Sequence, residues 1–285
     1  MATGRGGHHR RRRRIAPRVI ATYVLLVLAS LLVAFPLLLA LSYSLMSESA
    51  IATFPPPVIP TEPTLANYGT VFATIPIGRY LLNSLVVSSA VVIGQLITAS
   101  LAAYAFSFLT YPGRQLLFFL FLSTLMIPWE ATIIPNYITI RSIGWLDTYQ
   151  GLAMPFMATA FGTFLLRQAF LQIPRELWDS ARIDGASSFH FFRTMVVPLS
   201  RPALGTVAIY AFLSTYNQYF WPLLITNQPL MRTTQVGIAQ LRFEETLRWG
   251  LVMAGVIMVA APTLALLVIG QRQLIRGLTA GAVKG

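Results

Sequence analysis

Long apolar stretches separated by short polar segments set the pattern of this chain of 285 residues. A helix needs about 20 consecutive apolar residues to cross a bilayer, and six stretches reach or approach that length. They cover residues 19–41, 80–108, 115–134, 148–166, 203–224 and 249–270. The first stretch is uncharged and no signal-peptide cleavage pattern follows it, so we expect a retained helix. The pattern predicts an all-α membrane protein with six transmembrane helices.

The composition strengthens the membrane prediction. Hydrophobic residues make up 55% of the chain and charged residues 11%, whereas soluble domains carry about 25% charged residues. The absence of cysteine excludes disulfides, thiolate metal sites and cysteine nucleophiles. A net charge of +12 would suit a nucleic-acid partner, but seven of the basic residues lie at or before Arg18 and the others follow the membrane segments. We therefore predict contact with lipid and no nucleic-acid partner.

The placement of lysine and arginine predicts the orientation. Cytoplasmic segments carry an excess of these residues, and with the N-terminus inside, sixteen fall on the inner side and five on the outer side. We therefore expect a multi-pass protein of the plasma or inner membrane with both termini in the cytoplasm. The expected segments are a basic leader at 1–18, an extracytoplasmic loop at 42–79 with a short helix near 65–72, a five-helix core at 80–270 and a cytoplasmic tail at 271–285.

A polar segment at residues 174–202 interrupts the apolar pattern between the fourth and fifth stretches. Pro174 suits the first position of a helix, where its missing N–H costs nothing. Glu176 then lies in the first turn, where a carboxylate is favourable beside the helix dipole. Asp184 and Gly185 would end this helix, because glycine is the usual residue just beyond a helix C-terminus. The segment is therefore predicted to begin with a short, well-defined helix.

A second short helix is predicted after the glycine, capped by Ser187 or Ser188, and Pro198 and Pro202 break the chain before the fifth stretch. Each helix has one apolar face. These faces carry Leu177, Trp178 and Ala181 in the first helix and Phe189, Phe192 and Val196 in the second. Two helices around a glycine would make a compact knob for docking a soluble partner. An interfacial loop resting on lipid headgroups fits the composition equally well.

The spacing in this segment resembles the cytoplasmic loop of ATP-binding-cassette importer permeases, where E-A-A is followed by three residues, G, nine residues and I-x-L-P. The matching residues are Asp179-Ser180-Ala181, Gly185 and Met195-Val196-Val197-Pro198. The substitutions keep the charge sign, the small size or the apolar character. The sequence from Arg182 to Ala186 is similar to the carbohydrate-importing branch. The end of the chain, from Gly277 to Gly285, is similar to the second permease of maltose-type importers.

This resemblance implies a six-helix type I importer permease with a cytoplasmic two-helix coupling loop within 167–202. Such a permease pairs with a second permease subunit above two ATPase subunits, and an extracytoplasmic sugar-binding protein delivers the solute. ATP and Mg would be bound by the ATPases, so this chain would hold no cofactor or metal and would catalyse no reaction. The residues expected to contact the ATPase are Glu176, Asp179, Ser180, Ala181, Asp184, Gly185, Ala186 and Pro198 in the loop, and Gln271, Gly281 and Lys284 in the tail.

Two kinds of contact are expected at the ATPase. Glu176 and Asp179 would pair with basic groups of the partner. The apolar pairs would be buried against it, namely Leu177 with Trp178 and Phe189 with Phe192.

Polar residues inside the apolar stretches are candidates for the solute pathway, because such residues are costly in lipid and tend to face the bundle interior. Uncharged amides and hydroxyls beside aromatic rings suit a polyol. The candidates are Asn83, Tyr210, Ser214, Tyr216 and Asn217. The same residue types also supply ordinary hydrogen bonds between helices, and this alternative stays open for each of them.

Functions of other classes fit less well. The three histidines lie outside the apolar stretches, and no zinc-protease, nucleophile-elbow or phosphate-loop motif is present. A stand-alone secondary carrier would usually show an internal repeat and coupling charges within the membrane, and neither is found. The predicted function is half of the translocation pathway of a binding-protein-dependent sugar importer. A permease of the same type for a phosphorylated polyol, such as glycerol 3-phosphate, is the main alternative.

Overall fold

The computed structural model describes residues 17–242 and 248–279, and within these ranges the regular structure is entirely helical. The longer helices are α1 (Pro17–Ser44), α3 (Ala66–Thr74), α4 (Ile77–Phe108), α5 (Arg114–Ser123), α6 (Trp129–Ser142), α8 (Ala160–Phe170), α9 (Arg175–Ile183), α12 (Arg201–Tyr216), α14 (Thr234–Leu241) and α15 (Trp249–Thr279). The shorter ones are α2 (Glu48–Ile51), α7 (Tyr149–Ala153), α10 (Ser188–Phe191), α11 (Val197–Leu199) and α13 (Phe220–Ile225).

Three helices, α1, α4 and α15, are each long and apolar enough to cross a membrane. They coincide with the first, second and sixth predicted stretches, although α15 continues nine residues past the predicted end at 270. The third stretch is a bent pair, α5 and α6, which meet at 95°. The fifth stretch is interrupted, because α12 ends at Tyr216 and α13 begins only at Phe220. The predicted all-α membrane bundle is therefore present, but several spans are broken.

The fourth predicted stretch, 148–166, is not one continuous helix, so that prediction is wrong. Helix α7 passes into a 3-10 turn and an extended segment before α8 begins. Two side chains of α4 bind carbonyls at this break: Gln95 Nε2 donates to the Phe156 oxygen at 2.8 Å and Thr98 Oγ1 donates to the Met157 oxygen at 2.7 Å. Unpaired backbone groups are costly in a membrane, so partners on a neighbouring helix make the break tolerable.

Helix α4 lies at the centre of the bundle. It packs against α8 and α12, α12 also packs against α15, and α15 contacts α1. Helix α1, in contrast, leaves its apolar side open, with Leu32 76% and Val33 79% exposed. A helix that is apolar on all sides is typical of a membrane span. The peripheral position of α1 therefore suits contact with lipid.

The segment 42–79 is tied to the ends of two long helices. The Asn67 amide of α3 donates to the carbonyls of Ser44 and Met46 at 3.0 and 2.7 Å. Glu48 Oε1 accepts the Gly250 N–H at 3.0 Å, and a carboxylate at the start of α15 is favourable beside the helix dipole. Helix α3 confirms the short helix expected near 65–72.

Candidate functional site

The first helix of the 174–202 knob ends as the sequence predicts. Gly185 has φ of 76°, in the left-handed region. The Ala186 N–H donates to the Ala181 oxygen at 2.9 Å, and the Gly185 N–H donates to the Arg182 oxygen at 3.1 Å. These two bonds form a Schellman motif. A Cβ added at Gly185 would meet nothing within 4 Å, so backbone conformation rather than space requires glycine here.

The boundaries of both knob helices agree closely with prediction. Helix α9 begins at Arg175, so Pro174 directly precedes the helix instead of occupying its first position. Ser187 caps α10, since its Oγ accepts the His190 N–H at 3.2 Å. A π-helical turn and α11 then lead into α12. Pro198 lies half-buried in α11, at the turn toward α12.

One face of the knob is fixed in the core of this chain. Phe191 is fully buried and Phe192 is 8% exposed, and the Trp178 ring lies 4.8 Å from the Phe191 ring, centroid to centroid. The Tyr104 hydroxyl of α4 donates to the Ser188 oxygen at 2.9 Å. The prediction that Trp178 and Phe192 are buried against an ATPase is therefore wrong, because both pack against the protein's own bundle.

The opposite face of the knob is open. Ile183 is 85%, Phe189 65% and Leu177 38% exposed, and the carboxylates of Glu176 and Asp179 belong to exposed residues. A groove of about 580 Å³ lies between the two helices. Its lining includes the predicted coupling residues Ser180, Ala181, Asp184, Gly185 and Ala186. The knob thus presents acidic, small and apolar groups together on one accessible side.

Three of the pathway candidates are exposed along one side of α12 and at the residue directly after its end, and we call them the α12 stripe: Tyr210, Ser214 and Asn217. Their spacing of four and three residues places them on the same side of a helix. The Tyr210 ring lies 4.5 Å from the Phe161 ring of α8. Asn217 Oδ1 accepts the Gln235 amide N–H at 3.2 Å. The stripe therefore combines hydroxyl, amide and aromatic groups on an accessible surface.

The other two pathway candidates are buried and already bonded within the chain. Asn83 donates to the carbonyls of Leu230 and Arg232 at 2.8 and 2.9 Å, and its Oδ1 accepts the Tyr149 hydroxyl at 2.7 Å. Tyr216 is 1% exposed and donates to the Val259 oxygen at 3.0 Å. Neither offers a free polar group to a solute, so the inter-helix alternative holds for both and their assignment to the pathway is corrected.

The tail candidates are only partly described. Gln271 is exposed on α15, and its amide donates to the Val268 oxygen at 2.9 Å. Helix α15 runs on to Thr279. Gly281 and Lys284 lie outside the described residues, so their proposed contacts stay predictions.

Sequence reasoning missed the residues that surround Asn217. Gln235 of α14 bonds to Asn217, and a cavity of about 480 Å³ beside it is lined by Tyr219, Gln235 and Arg242 among others. Helix α14 belongs to the segment between the fifth and sixth apolar stretches, so hydropathy gave no reason to place it near the pathway. Its amide is brought to the stripe only by the packing of α14 against α15 and α4.

A family comparison decides what this bundle is. Residues 95–276 match the family described as "Binding-protein-dependent transport system inner membrane component". The chain belongs to this family. The matched range includes the C-terminal part of α4, the whole knob, the α12 stripe and most of α15, and so confirms the predicted importer permease.

Two relatives are similar in sequence to this permease along nearly its whole length. It is 37% identical over 270 residues to the sn-glycerol-3-phosphate transport system permease protein UgpE of Agrobacterium fabrum, covering 92% of this chain and 95% of that protein. It is 35% identical to the protein of the same name from Yersinia enterocolitica, covering 91% and 95%. The similarity includes at least part of the leading helix α1 as well as the core, because coverage exceeds nine-tenths of this chain.

A solved structure shows the same fold. The permease superposes on a chain of a bacterial ABC transporter involved in the import of the acidic polysaccharide alginate, with a TM-score of 0.79 at 24% identity over 89% of this chain and 95% of that one. A second chain, from the alginate transporter in complex with its pentasaccharide-bound periplasmic protein, gives a TM-score of 0.60 at 14% identity over 89% and 92%. The predicted type I permease fold in a multi-pass membrane protein is thus confirmed.

Proposed function

We propose that this permease forms one half of the solute pathway of an ATP-driven importer and is driven through its 174–202 knob. The observation that carries the proposal is the two-sided knob, with one face fixed in the bundle core and the other open. A rigid element anchored in this way passes a partner's movement to the bundle as a rigid-body displacement. Because α12 follows the knob directly, the displacement would reach the α12 stripe.

The open face fits an ATPase subunit. Leu177, Ile183 and Phe189 supply apolar contact, and Glu176 and Asp179 supply negative charge for basic groups of that partner. In the proposed complex a second permease completes the pathway, two ATPase subunits bind ATP and Mg, and an extracytoplasmic binding protein delivers the solute. This chain then acts without catalytic residues or cofactors of its own.

Both termini and the knob face the cytoplasm in this proposal. Its support is the excess of arginine and lysine on that side, sixteen residues against five. Single cysteines in this cysteine-free chain test the orientation, because Thr61 and Ser188 are both exposed and would lie on opposite sides of the membrane in this proposal. An impermeant thiol reagent added outside spheroplasts should label cysteine at position 61 and leave cysteine at position 188 unlabelled. The reverse result would overturn the orientation.

The proposed solute is a sugar. The α12 stripe offers two hydroxyls, an amide and an aromatic pair, and carries no charge of its own. A polyhydroxylated ring needs many directional hydrogen bonds of moderate strength together with stacking surface. The stripe supplies both kinds of contact.

A phosphorylated polyol is the second candidate. The glycerol-3-phosphate permeases that are 35–37% identical to this chain favour it. Arg242 lines the cavity beside Gln235, and guanidinium groups bind phosphate oxygens bidentately. This cavity would place a positive charge next to the amides of the stripe.

Reconstitution of the complete importer tests the function and separates the two solutes. The permease, its partner permease, the ATPases, the binding protein and ATP should together concentrate the solute, and the permease alone should not. Uptake driven by a proton or sodium gradient in the permease alone would refute the proposal. Competition between labelled sugar and sn-glycerol 3-phosphate then identifies the solute. Deletion of residues 279–285 should lower ATPase stimulation more than assembly, and a normal truncated complex would remove the tail's role.

A further inference from the structure

A polar cavity lies where the first helix of the knob meets the ends of α4 and α8 and the start of α5. Its volume is about 300 Å³, and its lining includes Arg114 from the start of α5, Arg175 from the start of α9, and Ser107, Thr110 and Asp179. Among these lining residues, two are arginines, two carry hydroxyls and one is an acid, so their net charge is positive. None of these groups belongs to the α12 stripe.

A third arginine reinforces the positive charge. Arg167, just past the end of the fourth apolar stretch, lies with its Cζ 4.0 Å from the centroid of the Phe118 ring and donates through Nε to the Phe106 oxygen at 3.3 Å. Burial and the nearby charge of Arg114 lower the pKa of the Arg167 guanidinium.

The arginines keep free hydrogen-bond donors. Arg114 Nη1 donates to the Leu109 oxygen at 2.8 Å, which with the Arg167 bond satisfies carbonyls at the end of α4. A guanidinium has five N–H donors, so one carbonyl contact each leaves most of them available. Hydrogen bonds to the end of α4 account for the positions of Arg114 and Arg167. They do not explain why Arg175 lines the same cavity as Arg114.

The surroundings of the cavity indicate a lipid as the source of the anion. Helix α5 rises directly from Arg114, and its outer side is apolar and open, with Leu116 64%, Leu117 50% and Leu120 56% exposed. Such a side suits acyl chains, while basic pockets between helices at the cytoplasmic boundary bind anionic headgroups. The cavity and the apolar side therefore lie where one lipid molecule would contact both.

We propose that Arg114 and Arg175 form a binding site for the phosphate-bearing headgroup of an anionic membrane lipid, with its acyl chains along α5. The planar guanidinium forks match phosphate oxygens, and Thr110 adds a hydroxyl donor, whereas the Ser107 hydroxyl already donates to the Ala103 oxygen at 2.7 Å. The site is separate from the proposed solute pathway and does not depend on which solute is imported.

Lipid titration of the complete importer in nanodiscs tests this site. Phosphatidylglycerol is titrated into phosphatidylcholine discs, and retained lipid is counted by native mass spectrometry. We expect preferential retention of phosphatidylglycerol, weakened about fivefold by Arg175→Gln, since a basic residue near an anionic surface contributes about that factor. Arg18→Gln removes the same charge at the start of α1, outside the cavity, and serves as the matched control, with a smaller loss of retention. Equal losses in the two variants, or no preference over phosphatidylcholine, would overturn the proposal.

Two further measurements separate the site from simpler explanations. Arg114→Lys keeps a charge and one donor for Leu109 but loses the planar fork, so lipid retention should fall while the thermal unfolding midpoint stays the same. Unchanged retention in both Arg114→Lys and Arg175→Gln would refute the site and leave Arg114 with only its bond to the Leu109 oxygen. Displacement of the lipid by millimolar inorganic phosphate would assign the cavity to free phosphate instead.

Discussion

The knob and the α12 stripe differ in how their residues are determined. In the knob, the predicted turn, cap and glycine conformation are all present, because each depends on contacts within a few residues along the chain. In the pathway prediction, five polar residues separate into three exposed and two buried ones, although all five sit in similar apolar sequence. The geometry of a turn or a helix cap is determined by residues close together in the sequence. Whether a polar side chain is buried or exposed depends on the helices that pack around it.

The largest effect is expected at Gly185, in the turn between α9 and α10 of the knob. Gly185→Val forces a β-branched residue into the left-handed region, at a cost of about 1–2 kcal/mol or more, so the motif should rearrange and uptake should be abolished with normal membrane levels. Gly78→Val is the control, because its added Cβ also meets nothing within 4 Å but its φ is ordinary. Uptake assays and membrane immunoblots measure both variants. Wild-type uptake by Gly185→Val would show that the left-handed conformation at residue 185 is not needed for transport.

The second effect separates a buried polar residue from an exposed one. Asn83→Ala leaves the carbonyls of Leu230 and Arg232 and the Tyr149 hydroxyl without this partner. These partners are only part-buried, and the Leu230 oxygen also accepts the Arg79 Nε–H at 3.3 Å. An unsatisfied buried group costs about 1–3 kcal/mol, so we expect a loss of about 2 kcal/mol in unfolding free energy. Asn217→Ala, on the exposed stripe, should cost under about 1 kcal/mol. Thermal and denaturant unfolding in detergent measures both, and equal losses would erase the distinction between the two classes.

The third effect concerns the charge on the open face of the knob. Asp179→Lys should weaken association with the ATPase subunits at least about tenfold, because like charges across an interface are costly. Glu62→Lys makes the same change at an exposed residue of the 42–79 segment and should leave association unchanged. Co-purification and surface plasmon resonance give the affinities. Tight association of Asp179→Lys would remove this acid from the proposed interface.

The smallest effect is expected on the stripe itself. Tyr210→Phe removes a hydroxyl and keeps the ring against Phe161, and the half-saturation constant for solute should rise about two- to tenfold, the equivalent of one hydrogen bond. Tyr216→Phe makes the same change at a buried residue that bonds to Val259 and should leave that constant unchanged. Radiolabelled uptake by the complete importer gives both values. A shift for Tyr216→Phe alone would reverse the assignment of the two tyrosines.

The prediction of spans was right where the apolar residues of one helix are sufficient evidence. It was wrong where a span is broken and the break depends on hydrogen bonds from a distant segment. Helices α1, α4 and α15 are predominantly apolar over the length of a membrane, so hydropathy located them. The break after α7 depends on Gln95 and Thr98, which lie about 60 residues earlier and supply the hydrogen bonds that the interrupted helix lacks. Hydropathy averaged over neighbouring residues cannot include partners that lie so far away in the sequence.

The candidate site shows the same division. Asp179, Gly185 and Ser187 were identified from spacing, and their backbone positions agree with it. The burial of Trp178 and Phe192 was assigned to a partner, because an apolar face on an amphipathic helix does not state which surface covers it. The covering surface is α4 and α8 of the same chain, which only the fold brings next to the knob.

The sequence by itself determined the membrane class, the three continuous spans, the turn and caps of the knob, and the family to which the chain belongs. These features depend on composition, on periodicity and on hydrogen bonds that close within a single helix turn. The tertiary structure decided which spans are broken, which polar residues remain exposed on α12, which face of the knob is open, and that Arg114 and Arg175 line one cavity. Each of these depends on groups far apart in the chain, because in an apolar bundle a polar group must find its partner on whichever helix packs against it.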